Sequence, residues 1–432
     1  MQPTTLQIIG TAIFAIAVLH TFVVSKFQHI AHHHPEGSIG RNMFHFLGEV
    51  EAVFGMWALI FIAFYTVIEG FAKYDEAHVL IGGALHYLQT QNYTEPAFVF
   101  VIMCMAGTRP VIQLAEKIIL LASKIIPLPG KISFYFAALV IGPILGSFIT
   151  EPAAMTVTAL ILLENFYKQG MSEKFKYATI GLLFVNVSVG GTLTHFAAPP
   201  VLMVAGKWGW GMPFMVGHFG YKAAVACIIS TLLFAFYFKK ELVGELKAKA
   251  NNPATPIWIT CVHLLAMAIV VYTAHYMTFF LATFLFFLGF MKVTEQYQEK
   301  AKIKESLFVG FFLAGLVTLG SMQQWWLQEV ITKMSDLVLY FGATALTAVT
   351  DNAALTYLGS LVELTDSAKY NLVAGAVTGG GLTVIANAPN PAGFGVLKDS
   401  FSGGNIGPLG LFIGALIPTL VVILAFQILP SL

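Results

Sequence analysis

Two acidic residues stand inside otherwise apolar stretches of the chain, Glu151 in TEPAAMT (150–156) and Asp351 in TDNAALT (350–356). The two heptapeptides share Thr, Ala, Ala and Thr, with an acid at the second place, and the second adds the amide of Asn352. An ionisable carboxyl at membrane depth is costly, and such residues mark ion or proton paths. A carboxylate placed there can hold a proton or a hard cation in turn. The plainer alternative is capping: Thr150 or Asp351 can accept hydrogen bonds from the free N–H groups of a first helical turn, and Pro152 suits that turn. Capping leaves unexplained why both halves place an acid at this point.

A second matched pair follows the first. GGTLTHFAAPP (190–200) aligns with GGGLTVIANAP (379–389), keeping Gly-Gly, Leu-Thr, Ala and the final Pro. Glycine and proline interrupt what would otherwise be continuous helices and free backbone carbonyls. With the side-chain oxygens of Thr194, Thr383, Asn387 and Asn390 beside the prolines, these make an oxygen-rich lining of the kind a hard cation such as Na+ needs. Asn186, Thr192, Ser188 and Thr378 add further oxygens, although hydroxyls also serve plain helix packing in membranes, the reading that suits Ser188 and Thr378. His195 stands where the second half has Val384. It is either a proton relay or a histidine bonded to a nearby carbonyl, and both readings stay open.

Arg109, in Gly107-Thr108-Arg109-Pro110, requires a partner if buried. Glu49, Glu51 and Glu116 are the candidate acids for a structural ion pair; an anion clamp is the sharper alternative. The run His29, His32, His33, His34 and His45 lacks cysteines or regular ligand spacing, and reads as a solvated, pH-responsive loop rather than a metal site. Cys104, Cys227 and Cys261 read as small core residues. No phosphate-binding glycine loop, G-x-S-x-G or zinc signature is present, which argues against an ATP-driven pump or a membrane hydrolase. No resident cofactor and no nucleic-acid partner are expected.

The elements that must position these residues are apolar helices. Of 432 residues 57% are hydrophobic and 10% charged, where a soluble domain carries roughly 25% charged residues. Bilayer-length stretches of about 20 residues recur from end to end. Ten full spans are expected at about 6–27, 45–71, 95–125, 177–205, 219–238, 257–277, 278–292, 306–333, 371–398 and 409–430. Residues 133–167 and 334–364 are apolar runs broken midway by Thr150-Glu151-Pro152 and Thr350-Asp351-Asn352, which fits helical hairpins that enter and leave on one side. This layout collects fifteen Lys and Arg, among them Lys26, Arg41, Lys131, Lys247 and Lys249, on one face, and leaves Lys73, Lys207, Lys333 and Lys369 on the other. The rich face is therefore read as cytoplasmic, with both termini outside. The hairpins then open to opposite sides, as inverted repeats require. The repeats cover 1–238 and 257–432, with a cytoplasmic linker at 239–256. The fold class is an all-α polytopic membrane protein of about ten transmembrane helices plus two re-entrant hairpins.

Two repeats, each with a short polar hairpin tip followed by a broken helix, resemble the ion transporter superfamily, which includes divalent-anion/sodium symporters, arsenite carriers and NhaD-type sodium/proton antiporters. TDNAALT looks like the acid-Asn tip of the antiporter branch, and FHFLGEVEAVFGMWA (44–58) is similar to a bacterial family labelled “putative Na+/H+ antiporter”. The resemblance implies a scaffold domain (spans within 1–125 and 257–333), a transport domain made of the hairpins and broken helices, a homodimer, elevator-like movement and residence in the bacterial cytoplasmic membrane. The expectation is Na+ (or Li+) exchange for H+, with Na+ at Asp351, Asn352, Thr383 and Asn387, and with Thr150, Glu151 and residues 190–200 forming a second, proton-handling half-site. Pro152, in place of the usual Asn, makes the two sites unequal. The rival is Na+-coupled symport of a small anion on the same fold.

Overall fold

The computed structural model describes residues 2–244 and 254–432. Half of the expected linker, residues 245–253 with Lys247 and Lys249, lies outside the described residues. In chain order the helices are α1 Thr5–Thr21, α2 Val24–His32, α3 Ile39–Leu47, α4 Val50–Glu69, α5 Gly83–Gln89, α6 Thr94–Ala106, α7 Arg109–Ile125, α8 Gly130–Ile149, α9 Glu151–Asn165, α10 Glu173–Gly190 and α11 Pro199–Trp208. They continue with α12 Met212–Met215, α13 Tyr221–Tyr237, α14 Ile257–Tyr272, α15 Met277–Val293, α16 Ile303–Gly320, α17 Gln324–Ile331, α18 Asp336–Thr347, α19 Asn352–Ser360, α20 Asp366–Gly379, α21 Asn390–Leu397 and α22 Pro408–Ile428. Among the described residues, five helices are long and apolar enough to cross a membrane, or up to seven if each of two bent pairs counts as one span. One of those pairs is α6 with α7, bent by 68° at Gly107-Thr108.

The chain divides into two compact units. The first comprises Met1–Phe100, Ile303–Met334 and Tyr357–Thr365. Its centre is the crossing of α4 and α16, where Gly315 lies directly on the backbone of Phe54 and Gly55. Small residues at such crossings let helix backbones approach, which is how membrane helices gain packing energy without a hydrophobic driving force. Phe54 packs edge-on against Phe14 and Phe312, with centroids 5.5 and 5.3 Å away. At Gly320 α16 gives way to a short 3₁₀ turn, Ser321–Gln323. The carbonyls near that break are met by tyrosines: Tyr87 donates to Thr318 O, and Tyr357 donates to Val317 O at 3.3 Å. Irregular backbone at membrane depth persists only where protein supplies such partners.

The second unit comprises Val101–Lys302, Ser335–Thr356 and Asp366–Leu432. Here α8 and α9 lie antiparallel, Gly142 opposite Thr158 and Gly146 opposite Ala154. Beside them α10 runs parallel to α8: Asn186 Nδ2 donates to Leu139 O at 2.7 Å, and Gly190 rests on the backbone of Pro143. In the same way α20 runs parallel to α18, with Gly375 on Tyr340 O and Gly379 on Thr344 O. One further contact recurs in both places. Four residues past the packed glycine, a threonine hydroxyl donates to a carbonyl of the neighbouring arm: Thr194 to Ser147 O at 2.7 Å, and Thr383 to Ala348 O at 2.8 Å. Cys104 and Cys227 are buried, as their apolar surroundings imply, whereas Cys261 is exposed.

Candidate functional site

The first tip is made by one residue. Thr150 ends α8 with φ 69° and ψ 151°, and Glu151 begins α9 immediately after it. That backbone region is essentially reserved for glycine, and a β-branched side chain held there costs about 1–3 kcal/mol. Replacing Thr150 by glycine removes that strain but adds unfolded-chain entropy of about 0.5–1 kcal/mol. The Thr150→Gly protein is therefore expected to be more stable by about 1 kcal/mol, read as a higher melting temperature in detergent; a lower one contradicts the strain.

Glu151 is 0% exposed. Its Oε2 accepts a hydrogen bond from Asn387 Nδ2 at 2.9 Å, while Oε1 has no hydrogen-bond partner. Space for the carboxyl comes from Gly191, where a Cβ would lie 2.5 Å from Oε1. Asn387 reaches Glu151 because α21, which follows the second break, packs against α9, with Gly393 seated on Met155. Asn387 Oδ1 has no partner either.

The second tip lies against the same 379–390 segment. Asn352 is 0% exposed, and neither atom of its amide is hydrogen-bonded. A Cβ on Gly380 would come within 2.9 Å of Asn352 Nδ2 and would also strike Ser188 of α10. Thr347 Oγ1, beside Gly379, and Asn390 Oδ1 are likewise buried without partners. Asn390 holds the segment in shape, its Nδ2 donating to Gly380 O at 2.7 Å and Thr383 O at 2.8 Å. Buried polar atoms in proteins are nearly always hydrogen-bonded. Unpartnered oxygens from Glu151, Asn352, Thr347, Asn387 and Asn390 gather along one segment, and carboxylate, amide and hydroxyl oxygens are the ligand types that hard cations take.

The remaining residues singled out in the sequence fall into distinct places. Asp351 is half-buried and caps α19, its Oδ1 accepting from the N–H groups of Ala353 at 2.8 Å and Ala354 at 3.1 Å. Thr350 is half-buried in the turn before it. The hydroxyls of Thr194 and Thr383 donate to the hairpin carbonyls named above. His195 is half-buried with no partner at Nδ1, and Thr150 Oγ1 is unpartnered too. Arg109 opens α7 in the second compact unit, whereas Glu49 and Glu51 begin α4 in the first.

Two features escaped the sequence. Asn387, expected beside Asp351, bonds to Glu151 of the other half. Gly191 and Gly380 act by lacking side chains, and their only signal was the repeated Gly-Gly that precedes each Leu-Thr.

A family model described as “Putative Na+/H+ antiporter” matches residues 5–429 of the chain. No curated protein matches it. With nearly its whole length covered, and with apolar helices long enough to span a bilayer, the chain belongs to this Na+/H+ antiporter family and is a multi-pass membrane transporter of cations and protons.

Proposed function

We propose that the protein exchanges Na+ (or Li+) for H+, with Glu151 as the group that holds the two in turn. One observation carries this reading: a fully buried carboxyl with one free oxygen, beside amide oxygens that also lack partners. Sodium takes Glu151 Oε1 together with amide oxygens of Asn352 and Asn387; a proton takes the same carboxyl when sodium leaves. Because each ligand displaces the other, acidification weakens Na+ binding and Na+ expels a proton, which is exchange by linkage. Asp351 contributes negative potential as well as its cap. The matching glycine and threonine contacts of α8–α10 and α18–α20 support two inverted repeats, and the lysine distribution supports the expected ten-span layout with both termini outside. A dimer, elevator-like movement and the bacterial cytoplasmic membrane complete the reading.

The test is Na+-driven proton flux in proteoliposomes, followed by a pH-sensitive dye. Na+-dependent uptake of an anion without proton counterflow establishes the symport alternative instead. Asp351→Asn separates charge from capping, since Asn caps a helix about as well as Asp. The expected result is a half-saturating Na+ concentration raised about tenfold, the loss of about 1.4 kcal/mol of attraction, with the maximal rate kept. An unchanged Na+ dependence reduces Asp351 to a cap.

A further inference from the structure

The histidine run of the first unit does not behave as one solvated loop. His34 stacks on Phe44 with centroids 5.2 Å apart, His32 meets the ring of His45, and His45 Nε2 accepts from Arg41 Nε at 3.5 Å. Arg41 in turn pairs with Glu36 at 3.2 Å. His29 and His33, like His32, are exposed, and what sets this pair apart is that their Nε2 atoms face each other at 3.1 Å. They stand four residues apart at the end of α2, and His33, the residue after its last turn, keeps helical φ −83° and ψ −8°, so both rings project from one face.

We infer that His29 and His33 form a two-point site for a borderline divalent metal ion such as Zn2+, Ni2+ or Cu2+. Two imidazole nitrogens approaching this closely need something positive between them; in the metal-free protein it is the N–H of one ring. Two nitrogens bound to one metal at about 2.1 Å in cis or tetrahedral positions stand about 3.0–3.4 Å apart, so the rings are already spaced for a metal to replace that proton. Imidazole selects Zn2+, Cu2+ and Ni2+ over hard cations, so the site discriminates against Na+ and Mg2+. Among the described residues no group of three or more His, Cys, Asp or Glu is placed to hold a metal ion, so water completes the coordination. The imidazoles must be unprotonated to bind, and acidification releases the metal.

The test is Ni2+ titration by calorimetry of the full-length protein in detergent, purified on a tag without histidine. One site per chain is expected, with Mg2+ producing no heat. Either His29→Ala or His33→Ala turns a two-point attachment into one and weakens Ni2+ binding by about 100-fold, while His34→Ala leaves it unchanged. Equal weakening in His34→Ala, or binding intact in the His29→Ala/His33→Ala protein, overturns the site. The replaced side chains are exposed, and an unchanged melting temperature in metal-free buffer verifies that the fold is kept.

Discussion

Glu151→Gln protein in vesicles is expected to fold normally and to carry no Na+-dependent proton flux above that of empty vesicles. Glutamine has the shape of the carboxyl it replaces, so it fits the space left by Gly191 and its oxygen can still accept from Asn387 Nδ2. What it lacks is the ability to bind a proton and the charge that attracts a cation. Burying a neutral amide costs less than burying a carboxylate. The melting temperature should therefore stay the same or rise while transport disappears. That pairing of outcomes separates a functional carboxyl from a structural one, because loss of a structural group lowers both. Proton flux persisting in Glu151→Gln would remove Glu151 from the exchange.

Gly381→Ala is expected to lower stability by about 1–3 kcal/mol, the usual penalty for overpacking, and to abolish transport with it. A Cβ at this position would lie 2.5 Å from the backbone nitrogen of Val185. Val185 sits inside α10, whose backbone cannot yield without breaking its own hydrogen bonds. The second glycine-rich break would have to lift off α10 and take Asn387 away from Glu151. Gly395→Ala is the matched control, since nothing lies within 4 Å of the Cβ it would add. Thermal melting of the two variants in detergent decides the point. Equal melting temperatures would show that the break does not need to seat on α10.

Much of this architecture could be read from residue types. Thr150-Glu151-Pro152 marked a reversal inside an apolar run, and the chain reverses there. Gly107-Thr108 stands inside the apolar stretch 95–125, and the helix bends there by 68°. Such features are legible because glycine, proline and buried charge act locally. The partner of Glu151 was not legible. The two heptapeptides suggested that each tip serves the break in its own half, yet Asn387 lies 236 positions away from Glu151, and only the packing of α21 on α9 joins them. The tyrosines that meet the carbonyls near the α16 break were hidden for the same reason: Tyr87 and Thr318 share no sequence pattern, only a place. Asp351 shows a different difficulty. An acid one residue before a helix satisfies both a cap and a cation, and its residue type does not say which it serves.

A carboxyl that exchanges a proton for sodium must release that proton when sodium binds, and the release is measurable without any assumption about topology or transport rate. Detergent-solubilised protein in weakly buffered solution is titrated with NaCl, with choline chloride as the ionic-strength control, while pH is recorded. The expected result is acidification that saturates with Na+ in the wild type and vanishes in Glu151→Gln. Equal acidification in Glu151→Gln, or none in a wild-type protein that binds Na+, would contradict it.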